Sequence, residues 1–123
     1  MTVAASATGA TMDAAVDPRF GRCPYFVLVD TDDMTFEAVE NRNSLLGGGA
    51  GIQSARLMAQ KGVQAVLTGN CGPNAHETLR AAGIDVIVGC SGTVSEAVER
   101  YKSGQFRAAS GPNVATHAGM GGR

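Results

Sequence analysis

No stretch of this chain is long and apolar enough to cross a membrane, and its start, Met1-Thr2-Val3-Ala4-Ala5, lacks the basic region of a secretory signal. The expected address is the cytoplasm, with no membrane partner. Nor is there an excess of charge: ten basic against eleven acidic residues leave a net charge of −1. That balance argues against a protein that grips nucleic acid by bulk charge. Cysteine is scarce. Cys23, Cys71 and Cys90 are odd in number and widely spaced, with no CxxC pair, which excludes a disulfide framework or a structural zinc site. With only His76 and His117 besides, no ligand spacing for a mononuclear metal stands out.

Catalytic signatures are missing too. No serine sits in a nucleophile elbow, and no histidine has an evident acid partner. Two-metal nuclease chemistry wants carboxylates at neighbouring strand ends, but the expected parallel strands end at Thr68 and Val88. Gly47 to Gly51 has no Lys-Ser/Thr for a Walker loop and does not follow a core strand, as a dinucleotide fingerprint must. The chain reads as a binding protein, not an enzyme.

What is present is a pattern of strand, glycine turn and helix. At 123 residues and 44% hydrophobic content the chain supports one folded core. Thr2 to Ala7 reads as a first strand of small and β-branched residues, and Tyr25 to Thr31 as a strand covered on both faces. Thr35 to Asn41 pairs back as a hairpin, its Glu37 and Glu40 suiting a sheet edge. Helices are expected after Gly47 to Gly51, after Gly72 and from the capping box Thr93-Val94-Ser95-Glu96, with short strands Gln64 to Thr68 and Ile84 to Val88 between them. The fold class is therefore α/β, a mixed five-stranded sheet with an antiparallel hairpin near the N-terminus and parallel βαβ units. Residues 1–104 form the domain, and residues 105–123 read as a flexible glycine-rich C-terminal tail.

The stretch Asp17-Pro18-Arg19-Phe20-Gly21-Arg22-Cys23-Pro24-Tyr25-Phe26 is heavily equipped for a turn. Its prolines fix φ and restrict the residues before them, which braces Arg19 and Arg22. Two braced guanidiniums suit a multiply charged anion; a surface turn with both in water is the competing reading. In such sheets ligands sit beyond the carboxyl ends of the strands. The turns 69–74 and 89–92 are expected to bring helix N-termini to one edge, with Gly47 to Gly51 as a third, favouring an anion there. Cys71 and Cys90 lie near helix N-termini and Cys23 beside Arg22, where a thiolate is favoured. They are either small packing residues or ligands of a soft metal such as copper. His117, with Met120, offers a soft-metal clasp in the tail; Met12 offers a thioether contact; His76 is expected at the surface.

With these pieces in place, the sequence resembles the nitrogenase iron-molybdenum cofactor biosynthesis family. The resemblance rests on the opening strand, Asp17-Pro18-Arg19-Phe20-Gly21-Arg22, the glycine-rich start of the first helix, Thr68-Gly69-Asn70-Cys71-Gly72-Pro73-Asn74-Ala75 and Ala82-Gly83-Ile84, about residues 2 to 102. It implies a three-layer, ribonuclease-H-like layout without nuclease activity. It also implies a non-catalytic carrier that holds a preformed anionic metal-sulfur cluster, of molybdenum-copper sulfide or iron-molybdenum type, without covalent attachment. The residues expected to meet the cluster are Met12, Arg19, Phe20, Gly21, Arg22, Gly48, Gly49, Gly69, Asn70, Gly72 and Asn74, with Cys23, Cys71, Cys90 and His117 as candidate metal ligands. A monomer served by cluster donor and acceptor proteins is expected. The alternatives are a protein-interaction or regulatory module and a binder of a phosphorylated metabolite.

Overall fold

The computed structural model describes residues 1–45 and 49–106. Five strands, β1 (Thr2–Ala7), β2 (Tyr25–Asp30), β3 (Phe36–Glu40), β4 (Ala65–Leu67) and β5 (Asp85–Ile87), form one sheet in the order β3-β2-β1-β4-β5. β2 runs antiparallel to both β1 and β3, whereas β1, β4 and β5 are parallel. The mixed sheet expected from the hairpin and the later βαβ pattern is the one observed.

Three helices cover the sheet: α1 (Ala50–Gln60), α2 (Pro73–Ala81) and α3 (Val94–Lys102). Alternation along the strands divides the core in two. Ala4, Phe26, Leu28, Val66 and Val86 face α1 and α2, meeting Ala55, Met58, Ala75 and Leu79. Val3, Ala5, Val27, Val29, Leu67 and Ile87 face α3, meeting Val94, Ala97 and Val98. Both faces are covered, which is why β1 and β2 read as almost unbroken apolar runs. The small side chains of β1 let helices approach from either side. β3 lies at the edge, where Glu37 pairs with Lys61 and Glu40 with Arg42, each at 3.6 Å. These charges blunt an otherwise open ladder.

The segment between β1 and β2, expected only as a loop, is tied down by isolated bridges from Val16 to Ala7 of β1, from Ala15 to Thr93 at the start of α3 and from Arg19 to Asn70 in the turn before α2. Among the described residues no helix is long and apolar enough to cross a membrane. The expectation of a flexible tail falls mostly on residues 107–123, which lie outside the described residues.

Candidate functional site

Asp17 begins the site. Its backbone N–H donates to the Ser6 carbonyl at 2.8 Å, and its own carbonyl accepts from Ser6 Oγ at 2.7 Å. Ser6 has one hydroxyl proton, so the 2.7 Å contact between Ser6 Oγ and Thr68 Oγ1 is donated by Thr68. A buried chain of oxygens thus joins the ends of β1 and β4 beneath the arginine loop. From there the Asp17 carboxylate accepts the Arg19 backbone N–H at 2.9 Å and Arg19 Nε at 3.3 Å. This hydrogen bond and the adjacent charge hold the Arg19 guanidinium above its usual pKa.

The loop is then clamped from two sides. Asn70 Nδ2 donates to the Pro18 carbonyl at 3.0 Å, and the Asn70 carbonyl accepts from Phe20 N–H at 3.2 Å. On the other side Asn41, buried at the end of the hairpin, donates from Nδ2 to the carbonyls of Cys23 at 2.8 Å and Gly21 at 3.2 Å. Its Oδ1 accepts from Ser54 Oγ of α1 at 3.3 Å. Phe20 turns inward and packs on Phe26 with ring centroids 5.3 Å apart.

These constraints set Arg19 and Arg22 on the wall of a cleft of about 410 Å³. The starts of α1 and α2 form its other walls, through Gly49, Ile52, Gly72 and Asn74 among others. Both helices begin at a glycine N-cap, Gly49 and Gly72, with no side-chain cap. First-turn amides that no cap consumes, at the positive end of a helix dipole, favour an anion. The cleft therefore joins two guanidiniums to two helix N-termini.

The third helix start does not join them. Its N-terminal amides are spent within the protein: Val94 on the Ala14 carbonyl at 2.9 Å, Ser95 on the Met12 carbonyl at 3.0 Å, and Glu96 on Thr93 Oγ1 at 3.1 Å. Turn 89–92 stands at the same sheet edge as turn 69–74, as expected, but the expectation that it brings free N–H groups there is corrected. Saturated donors offer nothing to a ligand.

Of the residues expected at the site, the cleft brings together Arg19, Phe20, Gly21, Arg22, Gly49, Asn70, Gly72 and Asn74. Met12 is not on its lining; it packs against the core under α3. Gly69 sits beneath the cleft, where a Cβ would fall 2.6 Å from Pro18 Cα. Gly48, His117 and Met120 lie outside the described residues.

The cysteines depart from the thiolate expectation. Cys23 and Cys71 pack in the core beneath α1 and α2, Cys90 in the core beneath α3, and all three are buried. Burial pushes the Cys23 and Cys71 thiols up to about 12 and Cys90 to about 11. Desolvation outweighs the helix ends, so the neutral thiol is the resting form. Split between the two faces of the sheet, they do not form one ligand set. Among the described residues no group of three or more His, Cys, Asp or Glu side chains is placed to hold a metal ion. His76, expected at the surface, is 6% exposed, and among the described residues its Nε2 has no hydrogen-bond partner. The helical spacing of Ala75 and Leu79 rotates it inward, against the polarity of its side chain.

Sequence reasoning missed Asp17 as the partner of Arg19 and Asn41 as the clamp. Asp17 carries a local signal, since aspartate commonly caps the backbone two residues on. Asn41 carries only a local one, the Asn43 N–H that it accepts at 3.2 Å; the partners through which it clamps the loop are 13 to 20 positions away.

Comparison with known proteins places this geometry. Among solved structures the chain is similar to the apo form of the orange protein from Desulfovibrio gigas, at 44% identity and a TM-score of 0.89, covering 91% of this chain and 95% of that one. It is also similar to a putative NifB protein from Thermotoga, at 32% identity and a TM-score of 0.76, over 94% and 96% of the two chains. An uncharacterized protein of Methanocaldococcus jannaschii is 33% identical over 96 residues, 74% of this chain and 80% of its own length. The dinitrogenase iron-molybdenum cofactor family matches residues 1–104, and the chain belongs to that family.

Proposed function

We propose that this protein is a non-catalytic carrier that holds an anionic metal-sulfur cluster in the cleft between the arginine loop and the starts of α1 and α2. Family membership and likeness to the orange protein support a cofactor-related binding role. The observation that carries the reading is the convergence of Arg19, Arg22 and two glycine-capped helix N-termini on one cleft. Such a surface meets a polyanion with charge-assisted hydrogen bonds and amide dipoles. Among the described residues its lining holds neither cysteine nor histidine, which supports retention by non-covalent contact. The cargo that suits it is a thiometalate of molybdenum-copper or iron-molybdenum type, delivered and received by partner proteins in the cytoplasm. The strand order supports grouping the fold with ribonuclease-H-like domains.

The test is to load the protein with copper and tetrathiomolybdate and desalt it. The wild type should keep a visible chromophore that the Arg19→Ala/Arg22→Ala variant loses. A double variant that keeps the full spectrum overturns the assignment of the site. Tighter binding of inorganic phosphate than of tetrathiomolybdate overturns the cluster reading in favour of a phosphorylated ligand.

A further inference from the structure

The positive charge of the cleft is not left whole. Directly behind the exposed Arg19 guanidinium lies the Asp17 carboxylate, 3% exposed. Its Oδ1 faces Arg19 Nε at 3.3 Å and its Oδ2 faces Nη2 at 3.4 Å. Asp17 is also fixed independently of Arg19, since Ser6 holds both its backbone N–H and its carbonyl. The backbone that carries the carboxylate is therefore held whatever Arg19 meets, and the carboxylate itself is buried.

Two effects follow, with opposite consequences for a bound anion. The carboxylate orients Arg19, because Oδ1 also accepts the Arg19 backbone N–H at 2.9 Å. It also cancels part of the field that Arg19 projects into the cleft, and it does so from a buried position where solvent screens it least. An asparagine could keep the Oδ1 acceptor of the Arg19 backbone N–H and Nε without the charge, giving up only the longer Oδ2 contact to Nη2. A site selected only for grip would have no use for the charge.

We propose that Asp17 is a positioning residue that sets how readily the cleft releases its anion: it holds Arg19 in place while moderating its attraction, so that cargo is exchangeable. This rests on the cleft being the carrier site. Removing the charge while keeping the acceptor should tighten binding, and removing the acceptor as well should undo part of that gain.

The experiment compares the wild type, Asp17→Asn and Asp17→Ala by absorbance titration with tetrathiomolybdate at low and high salt. Asp17→Asn should bind at least about fivefold tighter than the wild type at low salt, the factor that deleting one unit charge about 8 Å from a single negative charge gives at an effective dielectric of about 40. It should also lose its chromophore more slowly on desalting, and Asp17→Ala should bind more weakly than Asp17→Asn. Because Asp17 is buried, the wild type is also examined by nitrogen-15 NMR. Slow solvent exchange of Arg19 Nε–H supports the clamp even where a variant fails to fold, and free exchange overturns it. Saturable wild-type binding with Asp17→Asn no tighter overturns this inference and leaves the carrier reading standing. Absence of saturable wild-type binding overturns the carrier reading, and this inference with it.

Discussion

The backbone of Gly21 lies so close to that of Gly51 that a Cβ on Gly21 would fall 2.8 Å from Gly51 Cα and 2.9 Å from its nitrogen. Gly51 in turn approaches Ala75, whose Cβ would sit 3.0 Å from a Cβ at position 51. The arginine loop, α1 and α2 are thus stacked in direct contact where the cleft forms. Side-chain bulk at any of these points opens the stack.

Gly21→Ala tests that contact. The collision is backbone against backbone, so no rotamer relieves it, and the loop must withdraw from α1. The expected cost is about 1 to 3 kcal/mol of stability, read as a lower urea midpoint. Tetrathiomolybdate affinity should fall as well, because Arg22 moves with the loop. An alanine variant of unchanged midpoint and affinity would show that the approach is not tight.

Asn41→Ala strikes the same loop from below. It leaves the carbonyls of Gly21 and Cys23 without their amide donor and Ser54 Oγ without its acceptor. Unsatisfied buried groups of this kind cost about 2 to 3 kcal/mol together. Asn41→Asp should be no milder, since it sets a carboxylate against two carbonyl oxygens. Both variants should bind the anion more weakly at temperatures where circular dichroism still shows them folded.

The buried thiols give a pH dependence of defined sign. Folded Cys23 and Cys71 titrate at about 12 and Cys90 at about 11, against an ordinary value of 9.0. Between those limits the unfolded chain has released protons that the folded chain still holds, so stability falls as pH rises. The thiol contribution should be complete below pH 9.0 and disappear through about pH 11 to 12. Denaturation midpoints measured from pH 8 upward should decline over that window. Iodoacetamide should label the folded protein slowly at neutral pH and modify all three cysteines in denaturant; rapid native labelling would contradict the burial.

Much of the fold was legible because local signals agreed with the tertiary arrangement. Thr2–Ala7 and the Thr93 capping box were readable from composition and spacing alone, and Tyr25–Asp30 from its unbroken apolar run. The arginine loop was legible as a braced motif, and its meeting with Gly49 and Gly72 followed from the rule that parallel strands end at one rim. Electrostatic balance was not legible in the same way. The thiols of Cys71 and Cys90 sit near helix starts as expected, but whether the dipole or desolvation governs them depends on packing that no local pattern reports. Met12 lies off the cleft lining because it packs on the core beneath α3, and His76 is turned inward by its place on α2 against the polarity of its side chain.

Thr93→Ala separates helix stability from ligand binding. Thr93 Oγ1 accepts the Glu96 N–H at 3.1 Å, and Glu96 returns a bond to the Thr93 N–H at 2.9 Å. Replacing a threonine N-cap with alanine costs about 1 kcal/mol, and the lower midpoint should be partly restored by Thr93→Ser. Because the α3 amides are consumed inside the protein and its start lies off the cleft lining, tetrathiomolybdate affinity should not change. Were Thr93→Ala to weaken binding as strongly as Gly21→Ala, the α3 turn would have to be part of the anion site, and the two-helix geometry of the cleft would be wrong.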